Sequence, residues 1–240
     1  MNEGTRVALV TGANRGLGLV IARVLARRGY GVVIGGRDRK ALDDAAAELS
    51  SYAPAVAPIA GDITDQSVRK ELIEAAGRFG GLDVLVNNAS ALGPTPLALL
   101  GDTQCEDFER ALATNVLGPF RLTKALLGSL AASAREGRGS VVLNISSDAA
   151  VNAYGRWGAY GSSKAALAHM TRIWNEEMAS QGVKLLALDP GDMDTPMHAV
   201  AIPDADRTTL KQPDAAAVEI ADAIADLLPA VQATAIRRAS

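Results

Sequence analysis

The chain has 240 residues, the size of one ordinary α/β domain, and 48% of them are hydrophobic but only 4% aromatic. Its core must therefore be Ala, Val, Leu and Ile, as in a parallel sheet covered by helices. A net charge of −3, with no long run of Lys or Arg, argues against nucleic acid as a partner. One cysteine, Cys105, excludes an intrachain disulfide and a thiolate metal cluster. Two histidines far apart in sequence, His169 and His198, give no metal site. No apolar run nears the ~18 residues of a membrane helix. The N-terminus, with Glu3, leads almost directly into a strand, so no signal peptide is expected and the chain reads as cytoplasmic.

Residues 6–10 carry the apolar run Val7-Ala8-Leu9-Val10, a buried strand by its pattern. It passes into Thr11-Gly12-Ala13-Asn14-Arg15-Gly16-Leu17-Gly18. A helical pattern follows, with Leu19, Ala22, Leu25 and Ala26 on one side and Arg23, Arg27 and Arg28 on another, and Gly29 closes it. Val32-Val33-Ile34 is the next strand. Glycines placed between a strand and a helix, inside a unit of about thirty residues, have the context of a dinucleotide cradle. They let the backbone turn tightly and approach a pyrophosphate, and the helix N-terminus offers free N–H groups to the anion.

The next signal concerns the cofactor's ribose. An NAD site usually has Asp or Glu at the end of the second strand. Here that place is Gly35-Gly36, followed by Arg37. Two small residues leave room, and Arg37 can grip a 2′-phosphate bidentately. Arg15 adds a second cation. Asp38 could serve a ribose hydroxyl, and reads more modestly as the N-cap of a helix over 39–51. NADP(H) is expected over NAD(H).

Residues 54–60 read as a third strand, ending at Gly61-Asp62-Ile63. A helix over 65–79 leads through Gly80-Gly81 to strand Val84-Leu85-Val86 and then Asn87-Asn88-Ala89-Ser90. Residues 97–100 are loop-like. Residues 106–115 start a helix whose pattern continues over 119–135. Val141-Val142-Leu143 is a strand whose end at Asn144-Ile145 delivers Ser146 and Ser147 to a crevice. After an irregular loop with Gly155 and Gly158, a long helix begins near Tyr160, repeats Leu167, Met170, Trp174 and Met178 at helical spacing, and ends at Gly182. A strand over 183–188 runs into Asp189-Pro190-Gly191-Asp192-Met193-Asp194-Thr195. Residues 196–213 are polar and read as a substrate lid. A last helix covers about 214–228, and residues 231–236 are a candidate seventh strand. Strands and helices alternate at least six times. The expected fold is a doubly wound Rossmann α/β fold over 1–240, with a mostly parallel six- or seven-stranded sheet and helices on both faces.

Tyr160 and Lys164 are four residues apart, so a helix puts both on one face, one turn apart. A lysine cation beside a phenol favours the phenolate, so the tyrosine pKa is expected to fall and make it a usable general acid or base. A hydroxyl from Ser147 would hold and polarise a substrate oxygen at the same point.

Ser147, Tyr160 and Lys164, together with the Gly-x-x-x-Gly-x-Gly turn, resemble the short-chain dehydrogenase/reductase family, over nearly the whole chain to about residue 228. The resemblance implies a catalytic set of Asn115, Ser147, Tyr160 and Lys164, with hydride transfer between NADPH and a carbonyl. Lys164 would lower the tyrosine pKa and bond the nicotinamide ribose. Asn115 would bend its helix and hold a water that relays protons from Lys164. The implied cofactor contacts are Gly12, Asn14, Arg15, Gly16, Leu17, Gly18, Arg37, Asp62, Ile63, Asn88, Ala89, Tyr160, Lys164, Pro190, Gly191, Met193 and Thr195. Of these, Asp62 would meet the adenine and Thr195 the carboxamide. Ser90 departs from the usual Asn-Asn-Ala-Gly and puts that turn's backbone angles in question. A substrate pocket is expected from Leu92, Asp148, Tyr154, Trp157 and Asp192, with the two carboxylates hinting at a hydroxylated or amine-bearing compound. The same fold carries sugar-nucleotide epimerases and dehydratases, but usually on longer chains with other glycine spacing. It also carries non-catalytic NADPH-binding regulators, which commonly lose the Tyr or Lys present here.

Surplus apolar residues on the helices near 106–135 and 160–181 point to a homodimer or homotetramer. They are Ala111, Leu112, Leu122, Ala125, Leu126 and Leu130 on the first, and Ala165, Ala168, Met170, Ile173 and Met178 on the second.

Overall fold

Strand and helix alternate from the first residues of the computed structural model, which describes residues 4–229. Strand β1 (Val7–Thr11) leads to α1 (Gly16–Arg27), β2 (Gly31–Gly36), α2 (Arg39–Leu49), β3 (Val56–Ala60), α3 (Gln66–Arg78) and β4 (Val84–Asn87). Then come α4 (Cys105–Leu112), a π-helical turn (Ala113–Leu117), α5 (Gly118–Arg135), β5 (Ser140–Ile145), α6 (Gly158–Met178), β6 (Val183–Leu188), α7 (Pro196–Ala201) and α8 (Pro213–Leu227). The strands form one parallel sheet in the order β3-β2-β1-β4-β5-β6. The chain direction across the sheet reverses between β1 and β4. A crevice therefore opens beyond the strand ends at that point, where such folds bind ligands.

The apolar runs of the strands split between two cores because side chains alternate faces. Ala8, Val10, Val32 and Ile34 pack against α1, α2 and α8. Val7, Leu9 and Val33 pack against α3 and α5. Of the residues counted as surplus in the sequence, Ala111, Leu122, Leu126, Leu130 and Met178 are buried in the fold. The apolar side chains left exposed on these helices include Leu117, Phe120 and Ile173, with Phe120 stacked on Trp174 at 5.3 Å. Asp38 caps α2, its Oδ1 accepting from the Ala41 N–H at 3.0 Å. The candidate strand over 231–236 lies outside the described residues.

The helix expected as one pattern from 106 to 135 is interrupted. The π-helical turn inserts an extra residue and carries the buried Asn115. The segment 196–213 is more built than a loop. It contains α7, and the Arg207 guanidinium grips Asp194 through two bonds of 2.8 and 3.0 Å. The backbone of Lys211 bonds Asp192 and Asp194, which fixes the base of the segment to the end of β6.

At the opposite end of the sheet, the buried Asp83 accepts from the Val7 N–H at 2.7 Å and from Ser133 Oγ, and Arg138 Nε stands 3.4 Å away. It joins β1, β4 and α5 far from the crevice. Asp83→Ala orphans these buried donors and is expected to cost about 3–5 kcal/mol in urea unfolding, with the crevice unaltered.

Candidate active site

The glycine turn is held by the end of β4. Asn88 Nδ2 donates to the carbonyls of Thr11 (2.9 Å) and Gly12 (3.2 Å), and the N–H groups of Asn88 and Ala89 both donate to Thr11 Oγ1. This close approach is what requires glycine. A Cβ on Gly12, which has φ +66°, would stand 2.9 Å from Ala89 Cα, and one on Gly18 would stand 2.4 Å from the Gly12 carbonyl oxygen. Beside the turn, a Cβ on Gly36 would meet Asn14 Oδ1 at 2.8 Å. The bare end of β2 is thus filled by the Asn14 side chain.

Strand β5 ends at Ile145 and delivers Ser147 to the crevice in an extended conformation. Helix α6 turns Tyr160, Ser163 and Lys164 to its buried side. Lys164 Nζ donates to the Ile145 carbonyl at 2.7 Å and lies 5.4 Å from the Tyr160 ring centroid. Trp157 packs edge-on against Tyr160 at 5.6 Å.

Asn115 ties these parts together. Its Oδ1 accepts from the Ala91 N–H (2.8 Å) and Ser90 Oγ (3.1 Å). Its Nδ2 donates to the Ala91 carbonyl and to Ser163 Oγ, both at 2.8 Å, and Ser163 Oγ donates to the Tyr160 carbonyl. Ser90, the departure seen in the sequence, thus takes a place in the network. Arg156 is the one described non-glycine residue at positive φ, so the turn at Ser90 is free of that strain.

The electrostatics correct one expectation. Burial pushes the Tyr160 phenol up to about 12, where the sequence pointed to a fall. The nearby Ser147 hydroxyl opposes the rise, and the carboxylates of Asp189, Asp148 and Asp192 add to it. Lys164 does not reverse it, because burial pulls its own pKa down to about 8 and its ammonium is engaged by Ile145. Asp148 lies well below the usual carboxylate range, chiefly because the Tyr154 hydroxyl donates to it at 2.6 Å.

A cavity of about 940 Å³ joins the two ends of the crevice. It is lined by every site residue named from the sequence except Gly18 and Asn115, which stand behind its wall. Arg15 and Arg37 lie exposed at the β2 end. Asp62, expected at the adenine, lines the cavity; its Oδ1 accepts from Thr64 N and Oγ1, while Oδ2 stands 4.0 Å from Arg37. The Thr195 hydroxyl, expected to meet a carboxamide, caps α7 by accepting from the His198 N–H. Met197, Val200 and Ile202 also line the cavity, and sequence reasoning missed them. Their signal was an apolar cluster inside an otherwise polar segment. Among the described residues no cluster of His, Cys, Asp and Glu is arranged to hold a metal, and no helix is long and apolar enough to cross a membrane.

Comparison with known proteins agrees with this geometry. A family model described as short chain dehydrogenase matches residues 6–206. The 3-oxoacyl-(acyl-carrier-protein) reductase of Thermotoga maritima is 33% identical over 195 residues, covering 80% of this chain and 76% of that protein. The alcohol dehydrogenase of the archaeon Thermococcus sibiricus, solved with 5-hydroxy-NADP, superposes with a TM-score of 0.81 at 31% identity, covering 92% of this chain and 91% of its own. The 3-ketoacyl-(acyl-carrier-protein) reductase of Brucella melitensis, solved with NADH, also gives 0.81, at 29% identity over 90% of this chain and 89% of its own. With the glycine turn, the switch point and Ser147, Tyr160 and Lys164 in one crevice, the chain belongs to the short-chain dehydrogenase family.

Proposed function

We propose that this chain is an NADP(H)-dependent oxidoreductase acting on a small carbonyl or alcohol, with carbonyl reduction the favoured direction. The observation that carries the reading is the convergence of Ser147, Tyr160 and the buried Lys164 on a cleft whose other end is the glycine turn. The residues present fit a dinucleotide. The turn packs too tightly for any Cβ at Gly12 or Gly18, and the N-terminus of α1 faces the cleft with its N–H groups. Relatives solved with either nicotinamide cofactor leave the choice to this chain's own residues. Arg37 and Arg15 supply cations at the β2 end, and Asp38 is engaged as a helix cap.

The cofactor supplies the hydride. The chain's residues position the carbonyl and supply its proton. Ser147 hydrogen-bonds the carbonyl oxygen. Tyr160 holds a proton at Oη through the neutral range and delivers it to that oxygen. Lys164, still charged at neutral pH, stabilises the phenolate left behind. The amide of Asn115 is fully used on Ser90, Ala91 and Ser163, so it fixes α6 in place against the turn after β4. The proton relay implied at this position belongs to the same reading. The substrate meets Leu92, Tyr154, Trp157 and the carboxylates of Asp148 and Asp192, with the segment 196–213 as lid. The enzyme is read as cytoplasmic, with neither nucleic acid nor membrane as partner.

Tyr160→Phe is expected to lower carbonyl-dependent NADPH oxidation by about 10²–10⁴-fold while cofactor binding persists, as read by absorbance and by fluorescence titration. Because the raised phenol pKa keeps the acid loaded at neutral pH, reduction should stay flat there. Alcohol oxidation should climb as the phenol ionises towards its pKa of about 12.

Arg37→Gln should weaken NADPH by roughly tenfold or more, the loss of a charged hydrogen bond, and leave NADH nearly unchanged. Equal affinity of the parent for both would overturn the NADP preference. Gly36→Asp is a poorer probe of this preference, because Asn14 occupies the space.

The exposed Leu117, Phe120 and Ile173 mark the face through which a homodimer or homotetramer would form. Light scattering at micromolar concentration should show a multiple of 24.8 kDa, and Ile173→Glu should reduce it. A single 24.8 kDa species in the parent would refute the assembly.

A further inference from the structure

Three large apolar side chains after β6 are left uncovered by the fold. Met197, Val200 and Ile202 keep 36%, 52% and 39% of their surface exposed, and all three line the same cleft. Apolar residues scattered singly over a surface need no explanation, but a group that lines a cavity with polar neighbours marks a surface for a ligand. Met197 and Val200 are one helical turn apart on α7, so they share a face. Ala201, the next residue, packs on the small apolar cluster of Leu92, Ala149 and Tyr160, where Leu97 and Trp157 also sit. The uncovered face therefore adjoins the phenol.

The roof that carries this face is tied down. Thr195 Oγ1 accepts from the His198 N–H at 3.3 Å and caps α7. Arg207 holds Asp194 through two bonds, and the Met193 and Lys211 backbones pair. Lys211 Nζ then donates to Glu219 on α8 at 2.7 Å. With its foot anchored to β6 and α8 and its far end packed on the Tyr160 cluster, α7 presents the apolar face as a preformed wall. The rim made by Asp148, Tyr154 and Asp192 is polar by contrast, and the Tyr154 hydroxyl is spent on Asp148 at 2.6 Å.

We propose that Met197, Val200 and Ile202 are specificity-determining residues that take a hydrocarbon arm attached to the reacting carbonyl, so that the substrate is a ketone or aldehyde with an uncharged arm of several carbons. The arm leaves water and covers the wall, which strengthens binding by roughly fourfold for each methylene covered. An arm ending in a carboxylate would bring an unpaired charge against apolar side chains and lose that gain. This deepens the oxidoreductase reading and rests on it for the role of Tyr160.

The test is the dependence of kcat/KM on arm length, read with NADPH over the straight-chain methyl ketones from 2-butanone to 2-octanone. The parent should gain about fourfold per methylene over the first few members. The double variant Val200→Ser, Ile202→Ser should flatten this slope, and Val200→Leu should keep it. A carboxylate-tipped ketone of the same length, 7-oxooctanoate, should fall roughly tenfold or more below 2-octanone. A flat series in the parent, an equal rate for 7-oxooctanoate, or a parent slope in the double variant overturns the proposal. So does a double variant that keeps the slope and weakens NADPH, since the wall would then serve the cofactor. The substituted side chains are exposed, and a parent-like thermal midpoint checks the fold. A second measurement needs no turnover. Trp174→Phe leaves Trp157, which lines the cleft, as the only tryptophan. Its fluorescence follows the binding of straight-chain amides, which mimic the ketones and are not reduced. Their Kd should fall with length in this background and lose that trend when Val200→Ser and Ile202→Ser are added. If the parent reduced no ketone, the oxidoreductase reading would fail, while the amide series would still decide the role of the wall.

Discussion

Lys164 is a cation with 2% of its surface exposed, and the architecture of the cleft follows from holding it there. Burial disfavours the charged form, so an ammonium in this position needs acceptors to replace its lost water. The Ile145 carbonyl is one, available because β5 ends at that residue. The charge of Asp189 at the end of β6 also opposes the fall in the lysine pKa. Both come from the carboxyl ends of neighbouring parallel strands. The lysine can therefore exist only where α6 crosses those ends, and Tyr160, one turn earlier, is placed by the same geometry. The order of the strands puts the chemistry at the switch point.

The second constraint is register between elements that are distant in sequence. Asn115 joins the turn after β4 to α6, and it can do so because the π-helical turn points its side chain inward. An α-helix running unbroken from α4 to α5 would rotate every later residue by about 100° for each residue removed. Beneath it runs a buried polar ladder. Asn87 donates to Asn144 at 2.7 Å, Asn144 to Thr171 at 2.8 Å, and Thr171 to the Leu167 carbonyl. Side chains of β4, β5 and α6 are thereby locked in one relative position. Polar groups buried in this way are costly if misaligned, so the ladder penalises slippage of α6.

Much of this was legible in the sequence, for physical reasons. The glycine turn was readable because its flanks carry two periodicities, one of strand and one of helix. Tyr160 and Lys164 were readable because helical spacing alone puts them on one face. Asp38 was readable as a cap because capping is local chemistry. What failed was what depends on the third dimension. The fall expected for the Tyr160 pKa assumed a charged neighbour in open solvent. Burial and three carboxylates from other elements outweigh that neighbour. Asp62, which lines the cavity, also accepts from two atoms of Thr64, two residues on, a bond the sequence reading did not include. Gly36 looked like empty space and is filled by Asn14 from another loop. The π-helical turn breaks the periodicity by a single residue, so the pattern alone does not show it; the bend at Asn115 was legible only through the family resemblance.

The pair of opposite shifts at Tyr160 and Lys164 has one source. Burial favours the neutral form of each, which raises the phenol and lowers the ammonium. If nothing else acted, closing the cleft further would drive both towards neutrality and remove the cation. The carboxylates at the strand ends act on the two groups in the same sense, since negative charge raises any nearby pKa. For Lys164 that rise, from Asp189, preserves the charge. For Tyr160 the rise from Asp189, Asp148 and Asp192 preserves the proton. One set of acidic residues thus keeps the lysine charged and the tyrosine protonated together. Two of the cations that line the cleft, Arg15 and Arg37, stand at the far end beside β2, where they meet the glycine turn and not the phenol.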